Sequence, residues 1–188
     1  MVTVRAMRPD DLEAVEYVCR MTAGEESQKD PVVGNKMAKI FSTYYVRECY
    51  DTCFVLADEN DKAVGYILCE PDFKRYRKVY RKVDVPHIKT LDKYWGKRAW
   101  TMPVAYTLLG AKYPAHLHID ILDEYQNKGY GKLLMEALLK KLKEKGVKGI
   151  MLMAGSWNEG AIRFYSRFGF KMFIKKFGTA VMVKDLRK

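Results

Sequence analysis

The sequence predicts a mixed α/β fold, an α+β arrangement in which helices flank one mixed sheet. Segments with the period of strands alternate with segments that have the period of helices, most clearly after residue 115. Short turns at 58–61 and at Gly178 separate pairs of strand-like segments and predict antiparallel hairpins. Alternation combined with hairpins favours a mixed sheet over a purely parallel one.

The first part of the chain predicts a strand, two helices and a hairpin. Residues 2–7 alternate as a short strand, and a helix follows Pro9. A second helix runs to about Tyr50, with apolar residues on one face at Met37, Ile40, Phe41, Tyr44 and Tyr45. Strands at 52–57 and 63–70 form the hairpin.

The last part of the chain has the clearest pattern. It predicts strands at 115–122, 149–153, 171–176 and 179–184, and helices at 129–145 and 159–168. Leu134, Leu138 and Leu142 form one apolar stripe along the first of these helices, and Gly146 ends it.

Between these parts lies an insertion at about 71–113 that is rich in basic and aromatic residues. Residues 74–98 carry ten Lys and Arg against two Asp, a net charge of +8. Pro86 and Pro103 are expected to break any long helix. The plain interpretation is a solvated surface insertion. The alternative is a surface that faces an anionic or aromatic acceptor through Arg75, Arg77, Arg81, Tyr76 and Tyr80.

Residues 119–132 form an apolar strand that leads through a glycine loop directly into a helix. Gly129 and Gly131 remove side chains that would keep an anion from the backbone, and the helix start offers free N–H groups. This junction predicts a diphosphate site. The loop does not continue as Gly-x-Gly-x-x-Gly and lacks a Gly-Lys-Ser/Thr ending, so Rossmann and P-loop interpretations lose support. A turn that binds nothing is the alternative.

A second motif follows at the distance of one helix and one strand. Together, Gln126-x-x-Gly129-x-Gly131 and Asn158-x-x-Ala161-x-x-Phe164-Tyr165-x-x-x-Gly169-Phe170 resemble the GNAT superfamily of acyl-CoA-dependent N-acyltransferases. The resemblance is firm over residues 115–173 and absent from 71–113. The segment 116–122 also resembles the acetyltransferase-like domain that is attached to some O-GlcNAc hydrolases.

The resemblance implies one GNAT-like domain at 1–188 that uses acetyl-CoA as co-substrate and no metal. Transfer to a primary amine, on a small molecule, a peptide or a protein, is expected by direct attack in a ternary complex. The implied cofactor contacts are Ile121, Leu122, Asp123, Gln126, Asn127, Lys128, Gly129, Tyr130, Gly131, Lys132, Asn158 and Tyr165.

Three of these implied contacts have a further expected role. Asn158 is a helix cap, a pantetheine contact, or both. The N–H of Leu122 is expected to stabilise the thioester oxyanion. The resemblance makes Tyr165 the general acid that protonates the coenzyme A thiolate, and a core aromatic is the alternative.

The predicted strand at 115–122 carries the candidate base. His116, His118 and Asp120 share one face of it. An acceptor ammonium must lose a proton before it attacks, and an imidazole with an ordinary pKa near 6.5 can accept one. We expect His118 to be the base, with His116 or Asp120 as relay. Glu124 is the rival, and a wet sheet face without function is the plain interpretation.

Composition bounds the remaining choices. With 48% hydrophobic and 30% charged residues the chain is a globular domain, expected to be cytoplasmic because no signal region or membrane-length apolar run is seen. Cys19, Cys49, Cys53 and Cys69 lack metal-ligand spacing and are expected to be buried thiols. The net charge of +11 suits either the polyanion coenzyme A or nucleic acid and does not discriminate between them, and nucleic acid is the less expected partner. A non-catalytic coenzyme A module is the other alternative, and the chain is expected to be a monomer or a homodimer.

Overall fold

The computed structural model describes residues 1–101, 107 and 109–187. These residues contain a seven-stranded sheet with strands β1 (Thr3–Ala6), β2 (Phe54–Ala57), β3 (Ala63–Glu70), β4 (Ala115–Ile121), β5 (Gly149–Gly155), β6 (Lys171–Lys176) and β7 (Thr179–Asp185). Their order in the sheet is β1-β2-β3-β4-β5-β7-β6. The pair of β4 and β5 is parallel and every other neighbouring pair is antiparallel. The predicted mixed α/β fold is confirmed.

Helices cover both faces of the sheet. They are α1 (Leu12–Thr22), α2 (Glu25–Lys29), α3 (Pro31–Phe41), α4 (Thr43–Glu48), α5 (Phe73–Val79), α6 (Val85–Leu91), α7 (Lys93–Thr101), α8 (Tyr130–Glu144) and α9 (Glu159–Arg167). Within the described part of the chain, no helix has both the length and the apolar character to cross a membrane.

One predicted helix is two helices in the structure. The helix expected to run to Tyr50 is interrupted at Ser42, whose φ of −125° is not helical. The Ser42 and Thr43 hydroxyls both donate to the carbonyl oxygen of Ala38, at 2.9 and 3.2 Å. Such side-chain bonds compete with the helical backbone ladder and explain the break.

Two apolar clusters hold the layers together. The first face of the sheet packs against α1, α3, α4 and the insertion, with Val15, Ile40 and Tyr44 fully covered. The second face packs against α8 and α9, and the predicted stripe of Leu134, Leu138 and Leu142 is wholly buried there. Side chains of β4 point alternately to the two faces of the sheet. Its two histidines and Asp120 face the first cluster, whereas Leu117, Ile119 and Ile121 belong to the second.

Strands β4 and β5 separate soon after they meet. Their recorded pairs in the described chain are Ala115 with Ile150 and His116 with Met151. In contrast, β3 pairs with β4 up to Ile121, and β5 pairs with β7 up to Gly155. The carboxyl-terminal half of β4 therefore presents an open edge toward β5.

The insertion is not a solvated surface addition. A continuous helical run joins α5, a π-helical segment at Tyr80–Asp84 and α6. Phe73, Tyr76 and Tyr80 are at most 5% exposed and belong to the first apolar cluster. Pro86 lies inside this run, directly after the wider π turn, so the expectation that it breaks the helix is wrong. Pro103 lies outside the described residues.

Candidate active site

The glycine loop presents an uncapped helix start. Gly129 is the N-cap of α8 with a φ of 84°, and no side chain caps this helix. A Cβ atom built on Gly129 meets no atom within 4 Å, so the approach to the backbone is open. The first N–H groups of a helix have no intrahelical partner and carry the positive end of its dipole. The loop can therefore hold an anion.

Two other loop residues shape this junction. The Gln126 side chain donates to the carbonyl oxygen of Ile121 at 2.7 Å and to Asp123 at 2.9 Å, which ties the loop to the end of β4. Gly131 faces α9, where a Cβ atom would lie in ordinary van der Waals contact, 3.4 Å from the Phe164 ring. The backbone at the start of α8 therefore passes close to the Phe164 side chain.

The prediction that the N–H of Leu122 stabilises the oxyanion is wrong. The N–H of Leu122 donates to the carbonyl oxygen of Val64 at 3.0 Å, so it continues the β3–β4 ladder and points away from β5. Successive residues of a strand direct their N–H groups to opposite sides. The N–H groups that point to the open edge are those of Ile119 and Ile121.

The second motif places its two predicted residues on α9, Asn158 at the start of the helix and Tyr165 on its buried face. The Asn158 side chain accepts from the Ala161 N–H at 2.9 Å, so Asn158 is the N-cap of α9, which was one of its two expected roles. Tyr165 is 8% exposed and packs against Phe164 and Phe170. Burial raises the pKa of Tyr165 above its ordinary value, and the charge of Asp120 raises it further. The phenol thus keeps its proton at neutral pH.

A polar cluster lies on the other face of β4, at its open end. His118 Nε2 lies 3.0 Å from Asp120 Oδ2, and the Tyr66 hydroxyl donates to the same oxygen at 2.5 Å. Burial acts to lower the pKa of His118, but the Asp120 charge and hydrogen bond outweigh it and raise the pKa to about 10. The imidazole is therefore protonated at neutral pH in the free protein, not neutral as an ordinary histidine would be.

Cys19 is a member of this cluster that the sequence did not indicate. Its sulfur lies within 4.8 Å of ligand atoms of both His118 and Asp120. The contact joins α1 to β4 across about one hundred residues of chain, and no local sequence signal marks it.

His116 and Glu124 lie outside this cluster. His116 is 3% exposed and packs among Tyr45, Phe73 and Tyr76, with ring centroids 4.5–6.0 Å away. Burial lowers the pKa of His116 to about 3, aided by the charge of His118, so this ring stays neutral in the core. Glu124 is exposed in a short turn after β4.

The insertion side chains that were considered as acceptor contacts have structural partners instead. Arg75 donates to the fully buried Glu70 at 2.6 Å and to Glu48 at 2.9 Å. Arg81 stacks over the Trp100 ring at 4.4 Å. Tyr76 and Tyr80 are also buried. Four of the five side chains are therefore not available to bind an acceptor, and of the five, Arg77 is still a candidate.

Known proteins that resemble this chain include acetyltransferases. Residues 20–170 match the family model of the acetyltransferase (GNAT) family. The solved structure of SsHAT is 32% identical, with a TM-score of 0.88 over 100% of this chain and 99% of that one. The PaiA N-acetyltransferase of Thermoplasma acidophilum, solved in complex with coenzyme A, shares the fold at 16% identity, covering 98% and 99% of the two chains, with a TM-score of 0.64.

A curated relative supports the same family. L-ornithine N5-acetyltransferase NATA1 of Arabidopsis thaliana is 30% identical over 113 residues, which are 55% of this chain and 49% of that protein. The match thus spans about half the length of that relative. The family model, the fold and the two sequence motifs agree, and the chain belongs to the acetyltransferase (GNAT) family of acyl-CoA-dependent N-acetyltransferases.

Proposed function

We propose that the protein transfers the acetyl group of acetyl-CoA to a primary amine by direct attack in a ternary complex. One observation carries the proposal: the uncapped start of α8 lies beside the open edge of β4. An anion-binding loop next to a strand edge that β5 leaves open suits a ligand that joins a diphosphate to an amide-containing arm. The coenzyme A that is bound to the PaiA relative is such a ligand.

In this proposal the backbone holds the cofactor. The N–H groups around Gly129 bind the diphosphate, with the exposed Lys128 and Lys132 beside them. The pantetheine arm pairs with the edge of β4 at Ile119 and Ile121, as an added strand would. One of these two N–H groups then stabilises the thioester oxygen as it becomes an oxyanion.

Tyr165 protonates the leaving thiolate. It is the residue of the second motif with an ionisable hydroxyl, and burial keeps that hydroxyl protonated. The influence of Asp120 on its pKa indicates that the acid and the polar cluster lie near each other. In this proposal the proton donor Tyr165 and a proton acceptor of the polar cluster act on the same bound thioester and amine.

The pair of His118 and Asp120 receives the amine. Their side chains are 34% and 24% exposed, so a ligand can reach them. An ammonium group that pairs with Asp120 removes the charge that keeps His118 protonated. The imidazole then releases its proton to solvent, and the neutral ring can accept a proton from the amine.

The test is release of free coenzyme A from acetyl-CoA in the presence of different amines. A panel of ornithine, linear diamines, arylalkylamines and peptide amino termini covers the main chemical classes. We expect thiol release that needs both protein and amine, with an acetylated product in the mass spectrum. If acetyl-CoA binds and no amine raises thiol release above the uncatalysed rate, the protein is a coenzyme A-binding module without transferase activity.

A further inference from the structure

Three side chains of different chemistry meet at the open end of β4. Cys19, His118 and Asp120 offer a sulfur, a nitrogen and an oxygen atom that all lie within 4.8 Å of one another. His118 and Asp120 are two residues apart on one strand face, and Cys19 reaches them from α1.

The elements that carry these residues are firmly placed. Cys19 is 2% exposed and packs in the first apolar cluster. Strand β4 pairs with β3 through both positions, at Leu68–His118 and Tyr66–Asp120. The buried Tyr66 hydroxyl donates to Asp120 Oδ2, and an outer hydrogen bond of this kind orients a carboxylate ligand.

This donor set suits zinc. Thiolate, imidazole and carboxylate are the three protein ligands of Zn²⁺, with bond lengths of about 2.0–2.3 Å. In a tetrahedral site, such bonds place the ligand atoms about 3.3–3.6 Å apart. In the structure His118 Nε2 and Asp120 Oδ2 lie 3.0 Å apart, and the ligand atoms of all three residues lie within 4.8 Å of one another. These separations lie on either side of the zinc-ligand spacing.

The cluster is also reachable. The His118 and Asp120 side chains are partly exposed, so an ion can meet these two groups from solvent, and the buried sulfur of Cys19 lies within 4.8 Å of both. Three protein ligands leave one position of a tetrahedral ion for water or another small ligand.

We propose that Cys19, His118 and Asp120 bind one Zn²⁺ ion and that this ion inhibits acetyl transfer. Binding replaces the thiol proton of Cys19 and the proton that His118 shares with Asp120, and both protons go to solvent. The ion occupies the groups that receive the amine, so the proposed inhibition rests on the proposed function. The proposed binding of zinc does not depend on that function.

Cobalt is the probe for binding, because Co²⁺ takes zinc sites and absorbs light where Zn²⁺ does not. We expect the chelator-treated protein to bind one Co²⁺ with a thiolate-to-cobalt charge-transfer band in the near ultraviolet, which added Zn²⁺ abolishes. Cys19→Ser should remove the band and weaken binding at least about tenfold. Tyr66→Phe should keep the band and weaken binding about 10- to 100-fold.

Cys53→Ser is the matched control. Cys53 is equally buried, and its sulfur hydrogen-bonds backbone groups of Cys69 that a hydroxyl can also bind. This variant should keep the cobalt band of the wild type. Circular dichroism verifies that each variant is folded. A band that survives Cys19→Ser, or no band in the folded wild type, overturns the proposal.

The activity measurement separates this proposal from the proposed function. Zn²⁺ should lower amine-dependent thiol release in the wild type and in Cys53→Ser, and a chelator should restore it. Acetyl-CoA should still bind in the presence of Zn²⁺, since its expected contacts lie elsewhere. A cobalt band in a protein without transferase activity refutes the proposed function and leaves the metal site standing. Full activity with saturating Zn²⁺ refutes the proposed inhibition.

Discussion

Replacement of Gly129 by glutamate is the sharpest test of the cofactor loop, because the chain supplies a matched control at Gly146. Both glycines have positive φ, 84° and 66°, and a Cβ atom on either meets nothing within 4 Å. A left-handed backbone costs an L-residue about 1–2 kcal/mol at each position. The helix dipole favours glutamate at the start of α8 and disfavours it at the end. Without ligand, Gly129→Glu should therefore be the more stable variant.

Acetyl-CoA should reverse this order. At 100 times its dissociation constant it adds about 2.7 kcal/mol to wild-type stability. A new negative charge 4 Å from one phosphate charge costs about 4 kcal/mol at an effective dielectric constant near 20. That penalty weakens binding about a thousandfold, so ligand stabilisation of Gly129→Glu falls below about 0.1 kcal/mol.

Thermal unfolding with and without acetyl-CoA measures both effects. The wild type and Gly146→Glu should each gain about 5–11 °C, and Gly129→Glu should gain nothing measurable. Coenzyme A should act in the same way, since the diphosphate is unchanged. An equal gain in both variants would mean that the start of α8 does not hold the diphosphate.

Three further outcomes test the site and its surroundings. Tyr165→Phe should lower the turnover number about 10²- to 10⁴-fold in the thiol-release assay, while the thermal gain with acetyl-CoA stays at the wild-type value; wild-type turnover would exclude the general-acid role. His118→Ala should lower the turnover number and leave the melting temperature close to that of the wild type. His116→Ala should mainly lower the melting temperature, because His116 fills an aromatic part of the core. The reverse result would make His116 the functional residue. Arg75→Met leaves the buried Glu70 carboxylate without its cation and should cost about 1–3 kcal/mol in urea unfolding, since Arg75 is 40% exposed and Tyr44 still donates to Glu70; Glu70→Gln should regain part of it. No loss would show that the ion pair is not needed.

Features set by local chemistry were predictable from the sequence. The left-handed Gly129 and Gly146 mark the two ends of α8, and Asn158 caps α9, because each depends on a few neighbouring residues. The common face of His118 and Asp120 also follows from strand alternation alone.

Features that depend on pairing between distant segments were not predictable. The direction of the Leu122 N–H is fixed by its register with Val64 on another strand. The raised pKa of His118 requires Asp120 to be turned toward it, and Cys19 reaches the same cluster only because α1 packs across the sheet. Residues far apart in sequence carry no periodic signal of such contacts.

The buried face of the insertion limits how this enzyme could be redesigned. Since Phe73, Tyr76 and Tyr80 complete the core and Arg75 neutralises Glu70, this segment cannot be exchanged with a relative as an interchangeable cassette. A graft that omits these anchors would expose one side of the sheet. Libraries aimed at new acceptors should therefore keep the anchors and vary only outward positions, such as Lys74 and Lys78 between them and Lys82 just beyond them.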